Sequence, residues 1–189
     1  MSVMPDVELA RFIDRWTMEH VRVYPHPVEH VWRALTEPEH IARWFGEADI
    51  ELRVGGRARF GPEHEPWFTT TVSALEPGTM IEFGTAIPRD LPGFIRYELT
   101  EVEGGCRMVF TQHFEPRDRF EPGDDGDLGG DLPAGSDTPW MPGFVGGWHD
   151  FFDLLGASLD GRPGDPSSDR WNELNHIYRD HIKKAIPPA

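Results

Sequence analysis

Histidine, cysteine and clustered aspartate are the residues with which this chain can hold a metal or move a proton. His26 and His30 stand four apart near a helix start, a spacing that lets two imidazoles share a metal. Glu29 is not placed as in H-E-x-x-H, however, and Pro27 lies between the two, so they read as solvated surface histidines. His176 and His181, five apart, do not share a helix face well. Asp124, Asp125, Gly126 and Asp127 miss the spacing of a calcium loop. Cys106 is the only cysteine, so the chain can form no internal disulfide and no cysteine-based zinc site. In the strand-like run CRMVFTQHF it reads as a small buried hydrophobe. No phosphate-cradling glycine loop or nucleophile elbow is present. Neither a metal nor a cofactor is expected, and no catalytic residue is assigned.

Two further polar residues sit on predicted strands. His113 shares the parity of Arg107 and Val109, so strict alternation turns it to solvent. Tyr97 shares the face of Ile95 and Leu99 and should point inward. A buried tyrosine hydroxyl needs a ligand, a water or a backbone group as partner.

The strongest signal is aromatic. The chain has 12 Phe and 7 Trp. Trp44, Phe45, Phe60, Phe83, Tyr97, Phe110, Trp148 and Phe152 are expected to meet in the interior, either as plain core or as the lining of a binding pocket. Magnitude bears on the choice. A dry void costs roughly 24 cal/mol per Å³. A ligand-sized pocket of about 300 Å³ would cost on the order of 7 kcal/mol, against a domain stability of about 5–15 kcal/mol. An open pocket should therefore be small, wet or usually occupied.

The elements that must position these residues are legible from periodicity. Residues 16–24 read as a strand. Two short helices follow within "HPVEHVWRALTEPEHIARWFG": Pro27 suits the first turn of one, and Pro38 stops it and opens a second that Gly46 closes. Five strand signals come next, with Ile50, Leu52, Val54, Ala58 and Phe60 on one face of the first. Ile81, Phe83 and Ile87, then Ile95, Tyr97 and Leu99, then Cys106, Met108, Phe110 and Phe114 lie on the apolar faces of later strands. Short turns make the sheet an antiparallel meander. A long helix over "GFVGGWHDFFDLLGASLDG" carries Phe144, Trp148, Phe151, Phe152, Leu155 and Leu159 as one stripe. Gly143, Gly146 and Gly147 open it without side chains, which lets backbone or a ligand approach Trp148. A last helix has Asp169 as N-cap and Trp171, Leu174, Ile177 and Ile182 as apolar residues.

The fold class is therefore α+β, a curved antiparallel sheet gripping one long helix. Residues 1–15 form an N-terminal extension, 16–162 the main domain and 163–189 a linker with a C-terminal helix. Residues 116–142, rich in Gly, Pro and Asp, form an acidic flexible loop.

In this order the stretches "PHPVEHVWRALTEPEHIARWF", "VGGRARF" and "GGWHDFFDLLGASLDG" resemble the Bet v 1-like / START-like (SRPBCC) superfamily. Within it they resemble proteins related to the activator of the Hsp90 ATPase, over about residues 16 to 162. The resemblance implies a helix-grip fold and a hydrophobic cavity between sheet and helix. Its members bind lipids, sterols or polyketides, and some catalyse cyclisation or hydration. The eukaryotic co-chaperone carries an additional N-terminal domain, for which these 189 residues have no room. The acidic loop, the tail after Gly161 and the residues before 16 depart from the pattern.

The formal net charge of −15 speaks against nucleic acid and against an anionic membrane surface as partner. No apolar run approaches the ~18 residues of a membrane span. The N-terminus has early acids and no signal-like apolar run, so a cytoplasmic protein is expected. The leading functional expectation is binding of a small hydrophobic molecule in the interior. An enzyme of the polyketide cyclase or hydratase type, or an interaction module such as an Hsp90-type chaperone cofactor, are the alternatives. A homodimer through Trp171 and Tyr178 is a further possibility.

Overall fold

A computed structural model describes residues 9–86, 91–116, 140–164 and 168–186. Eight strands form one antiparallel sheet in the order β1-β2-β8-β7-β6-β5-β4-β3. They are β1 (Arg11–Phe12), β2 (Thr17–Tyr24), β3 (Ala48–Ile50), β4 (Arg57–Phe60), β5 (Phe68–Glu76), β6 (Met80–Ala86), β7 (Leu91–Val102) and β8 (Gly105–Phe114). The helices are α1 (Val28–Thr36), α2 (Pro38–Ile41), α3 (Pro142–Leu159) and α4 (Ser168–Ala185). This is the expected α+β helix-grip arrangement. The acidic loop and its calcium-like aspartates fall almost wholly outside the described residues, as does Ile87.

Local sequence accounts for the breaks. Glu37 precedes Pro38 and takes extended backbone (φ −92°, ψ 124°), which separates α1 from α2. Register shifts at Val72/Ala74 and Phe83/Thr85 mark bulges in the β5–β6 and β6–β7 pairings, a feature that bends a strand and increases its twist. One expected face is corrected. The chain leaves β3 at Ile50, so Leu52 and Val54 are exposed in the turn before β4 instead of joining Ala58 and Phe60.

The apolar face of the sheet carries Ile81, Phe83, Ile95, Leu99, Met108 and Phe110, all of them buried. Cys106 is fully buried there too, and burial pushes its thiol pKa up. Tyr24 fastens β2 to the helix, because its hydroxyl donates to the Phe152 carbonyl at 3.0 Å. Gln112 is a polar residue on this apolar face, fully buried, and its Oε1 accepts the indole N–H of Trp148 at 3.0 Å. Replacing Gln112 by leucine should strand that N–H and cost about 1–3 kcal/mol. An unchanged urea midpoint would show that the bond holds nothing.

The glycines of α3 turn out to serve a different neighbour. A Cβ on Gly143 would lie 2.9 Å from the Trp171 ring, and one on Gly146 3.2 Å from Leu174 Cβ. Both seat α4, not a ligand beside Trp148, while Gly147 has nothing within 4 Å. Leu174, Tyr178 and Ile182 are buried against the rest of the chain. Tyr178 and Trp171, the residues considered for a dimer, thus pack within their own chain. The same seam takes in β1, which pairs with β2 through Arg11↔Glu19 and Phe12↔Met18. The Ala10 N–H donates to the Tyr178 hydroxyl at 3.0 Å.

Candidate functional site

The aromatic residues converge at one end of the grip. Leu35 of α1, Ile41 of α2, Trp44 and Phe45 just after it, Phe60 and Phe68 from the outer strands, and Trp148 of α3 surround a single small cavity. Phe83, Ile95 and Tyr97 form its floor on β6 and β7. Its volume is about 10 Å³, room for one water molecule at most. Of the eight aromatics expected inside, Trp44, Phe45, Phe60, Phe83, Tyr97 and Trp148 border it. Phe110 and Phe152 do not: they stand behind Trp148, with ring centroids 4.5 and 5.8 Å from its ring. Leu35, Ile41, Phe68 and Ile95 complete the wall.

Ring geometry around the cavity is ordered. Phe45 and Trp148 are within 15° of parallel, with centroids 6.0 Å apart. Phe60 and Phe68 stack at 4.7 Å and 20°. Phe45 is half-buried and meets Trp67 at 5.9 Å, edge to face. Trp67 itself is 55% exposed, so the outer side of this wall faces water.

The lining offers little polarity. The Trp44 indole N–H is spent on the Ala34 carbonyl at 2.9 Å, and that of Trp148 on Gln112. The Tyr97 hydroxyl makes no hydrogen bond to a described residue, although the side chain is only 7% exposed. Burial drives its phenol pKa well above the ordinary value, so it stays protonated. No Asp, Glu or His borders the cavity among the described residues.

The titratable residues gather elsewhere, between β2, α3 and α4. Tyr178 accepts from Ala10, so its own O–H is free to face His149 Nδ1 at 2.8 Å. His149 is fully buried, and its Nε2 lies 3.7 Å from Asp153, which pairs with Arg170 at 2.7 Å and Arg22 at 3.9 Å. Burial, then the Arg22 and Arg170 charges, push its pKa down to about 3. His20 is also fully buried, against the rings of Phe110, His149, Phe152 and Tyr178. Burial first, and Arg22 next, hold its pKa far below the ordinary imidazole range. His181 bonds the Ala10 carbonyl at 2.7 Å.

This seam makes stability depend on pH. The folded pKa of His149 lies below the unfolded one, so its contribution is complete above about 6.5 and is lost as pH falls toward 3. Between pH 6.5 and 5 that amounts to about 2 kcal/mol, and His20 acts in the same direction. Urea midpoints should fall across this window. A flat profile would mean that these imidazoles are not buried and neutral.

The remaining candidates behave as surface or core groups. His26 bonds Asp160 at 2.8 Å, and its ring lies 5.1 Å from that of His30. His113 turns away from the core, stacked on Phe94 at 5.3 Å and bonded to Thr17 at 3.0 Å. Among the described residues no group of three His, Cys, Asp or Glu is placed to hold a metal. None of the described helices is long and apolar enough to cross a membrane.

A curved antiparallel sheet closed by α1 and α2 and gripping α3 defines the helix-grip class of Bet v 1-like / START-like proteins. Residues 25–160 match the family model "Activator of Hsp90 ATPase homolog 1-like protein", and the chain belongs to that family. Among solved structures it is similar to a conserved protein of unknown function, EF2215, from Enterococcus faecalis. That likeness has a TM-score of 0.66 at 17% identity and covers 93% of this chain and 90% of that one. CalU16 from Micromonospora echinospora gives 0.63 at 20% identity, over 91% of this chain and 89% of that one. Protein MLL2253 from Mesorhizobium loti gives 0.55 at 25% identity, over 77% and 97%. No curated protein matches the chain.

Proposed function

We propose that the chain binds a small hydrophobic molecule between the sheet and α3, at the cavity bordered by Trp44, Phe45, Phe60, Phe83, Tyr97 and Trp148. The observation that carries this is the convergence of helices and strands on one apolar space, with Tyr97 among the residues that border it. Phe110 and Phe152 back the site without bordering it. The space has room for one water molecule at most, so binding must widen it. Phe45 is a half-buried wall residue that can yield if Phe151, 4.6 Å away between ring centroids, and the exposed Trp67 move with it. This fits the energetic expectation that an empty pocket stays small.

Purified protein extracted under denaturing conditions and examined by mass spectrometry should release an apolar molecule of stoichiometric amount, or, if purified empty, take up naphthalene with saturable quenching of tryptophan emission. The absence of both release and uptake would refute the reading.

The family's description favours a second reading, activation of an Hsp90-type ATPase. Adding the chain to such a purified ATPase decides it: an unchanged turnover rate removes the reading. A cyclase or hydratase role lacks support in the lining, where no described side chain is an acid or a base able to work near neutral pH.

A further inference from the structure

Building on the pocket reading, we infer that the ligand is an uncharged, flat ring system whose single hydrogen-bonding oxygen meets the hydroxyl of Tyr97. Three observations lead there. The first is charge. The described lining is aromatic and aliphatic throughout, so a carboxylate or ammonium would be buried there without a partner. Such burial is costly enough to exclude an ionised ligand.

The second is the count of polar groups. Three lining side chains carry a hydrogen-bonding atom: Trp44, Trp148 and Tyr97. The two indoles are committed to the Ala34 carbonyl and to Gln112. Tyr97 alone is uncommitted among the described residues, and its hydroxyl both donates and accepts. One oxygen on the ligand satisfies it, whether carbonyl, ether or hydroxyl. A second polar group would be left unpaired, which again costs free energy.

The third is shape. Phe45 and Trp148 already present nearly parallel faces, 15° apart in orientation. Trp148 is held in place by Gln112 on one side and by Phe152, 18° from parallel, behind it. Phe45 must shift outward, and Phe151 and Trp67, whose ring centroids lie 4.6 and 5.9 Å from its own, must give way with it. A planar ring needs about 3.5 Å of clearance on each face, the distance of carbon atoms in contact. An aromatic ligand therefore enters by replacing the Phe45–Trp148 contact with two stacked ones. A flexible alkyl chain offers no flat face to stack on either ring and also loses rotamer freedom on burial.

Four probes of similar size separate these features: naphthalene, 2-naphthol, 2-naphthoate and 1-decanol. Calorimetric titration of the wild-type chain should rank 2-naphthol above naphthalene by about 2- to 10-fold, the worth of one neutral hydrogen bond. Naphthoate and decanol should bind at least tenfold more weakly than 2-naphthol. Tyr97→Phe should erase the preference for 2-naphthol over naphthalene, with naphthalene binding more tightly than in wild type because no hydroxyl is left unpaired beneath it. Its thermal midpoint should match wild type, because the hydroxyl has no described partner to lose. A preference that survives in Tyr97→Phe, or naphthoate or decanol binding as tightly as 2-naphthol, overturns the ligand class while leaving the pocket standing. Binding of none of the four overturns the pocket as well.

Discussion

Replacing Gly146 with leucine is expected to push α4 off the back of α3. A Cβ at this position would already lie 3.2 Å from Leu174 Cβ and 3.5 Å from the Tyr178 ring, and leucine adds three more carbons to that space. Leu174 and Tyr178 are fully buried and Ile182 nearly so, and all three would lose their cover. At about 1.5–3 kcal/mol for each of these three side chains, the loss is about 4.5–9 kcal/mol. The better helix propensity of leucine returns less than about 1 kcal/mol. Guanidinium unfolding measures the cost, and limited proteolysis locates it: cleavage should concentrate near residues 160–170. Gly147→Ala is the matched control. Its Cβ would meet nothing within 4 Å, so it should be neutral or stabilising by up to about 1 kcal/mol. A Gly146→Leu chain with wild-type stability and a protected α4 would refute the packing of this seam.

Phe152→Ala and Phe45→Ala should have opposite profiles. Phe152 is fully buried, with ring centroids 5.1 Å from Phe110, 5.4 Å from His20 and 5.8 Å from Trp148. Truncating it should cost about 3–5 kcal/mol, as for other core phenylalanines. Phe45 is half-buried at the outer wall, so its loss should cost only about 1–2 kcal/mol. Probe affinity should respond the other way. Phe45→Ala removes one face of the proposed slot and should change naphthalene binding several-fold, while Phe152→Ala, refolded at low temperature, should change it less. Urea unfolding and calorimetric titration on the same samples check both halves. Equal stability losses would mean that wall and backing are one undivided core.

The separation of wall from backing was not legible in the sequence. Parity on β8 placed Phe110 inward, and helical spacing placed Phe152 with Trp148, but neither says which rings reach the same empty space. That depends on where the bulges at Val72 and Phe83 bend the sheet, a long-range property. The fold itself was readable, because period-2 strands and one apolar helical stripe admit few packings. Gln112 had a readable signal: it shares the parity of Phe110 and Phe114, so a polar side chain had to enter an apolar face. Leu52 and Val54 misled for a physical reason. Their alternation continued that of β3, but the chain turns there before β4 begins.

The glycines of α3 show a similar limit. Their presence at a helix start signalled a close approach, and the approaching group is α4. The complementary pattern was present, with Trp171, Leu174, Tyr178 and Ile182 at helical spacing and Val145 and His149 opposite the sheet-facing stripe. Reading α3 as apolar on one face hid it. Both faces are in fact buried, one under the sheet and one under α4.

The central claim is that the space beside Trp148 is a binding site. Nuclear Overhauser contacts between 2-naphthol and the methyl groups of Leu35, Ile41 and Ile95 test it most directly, since these three side chains border the cavity and Ile41 and Ile95 are almost wholly shielded from solvent. Contacts from the ligand ring to all three methyl sets are predicted. Contacts confined to exposed residues such as Trp67, Leu52 and Val54, with the interior methyls silent at saturating ligand, would contradict it.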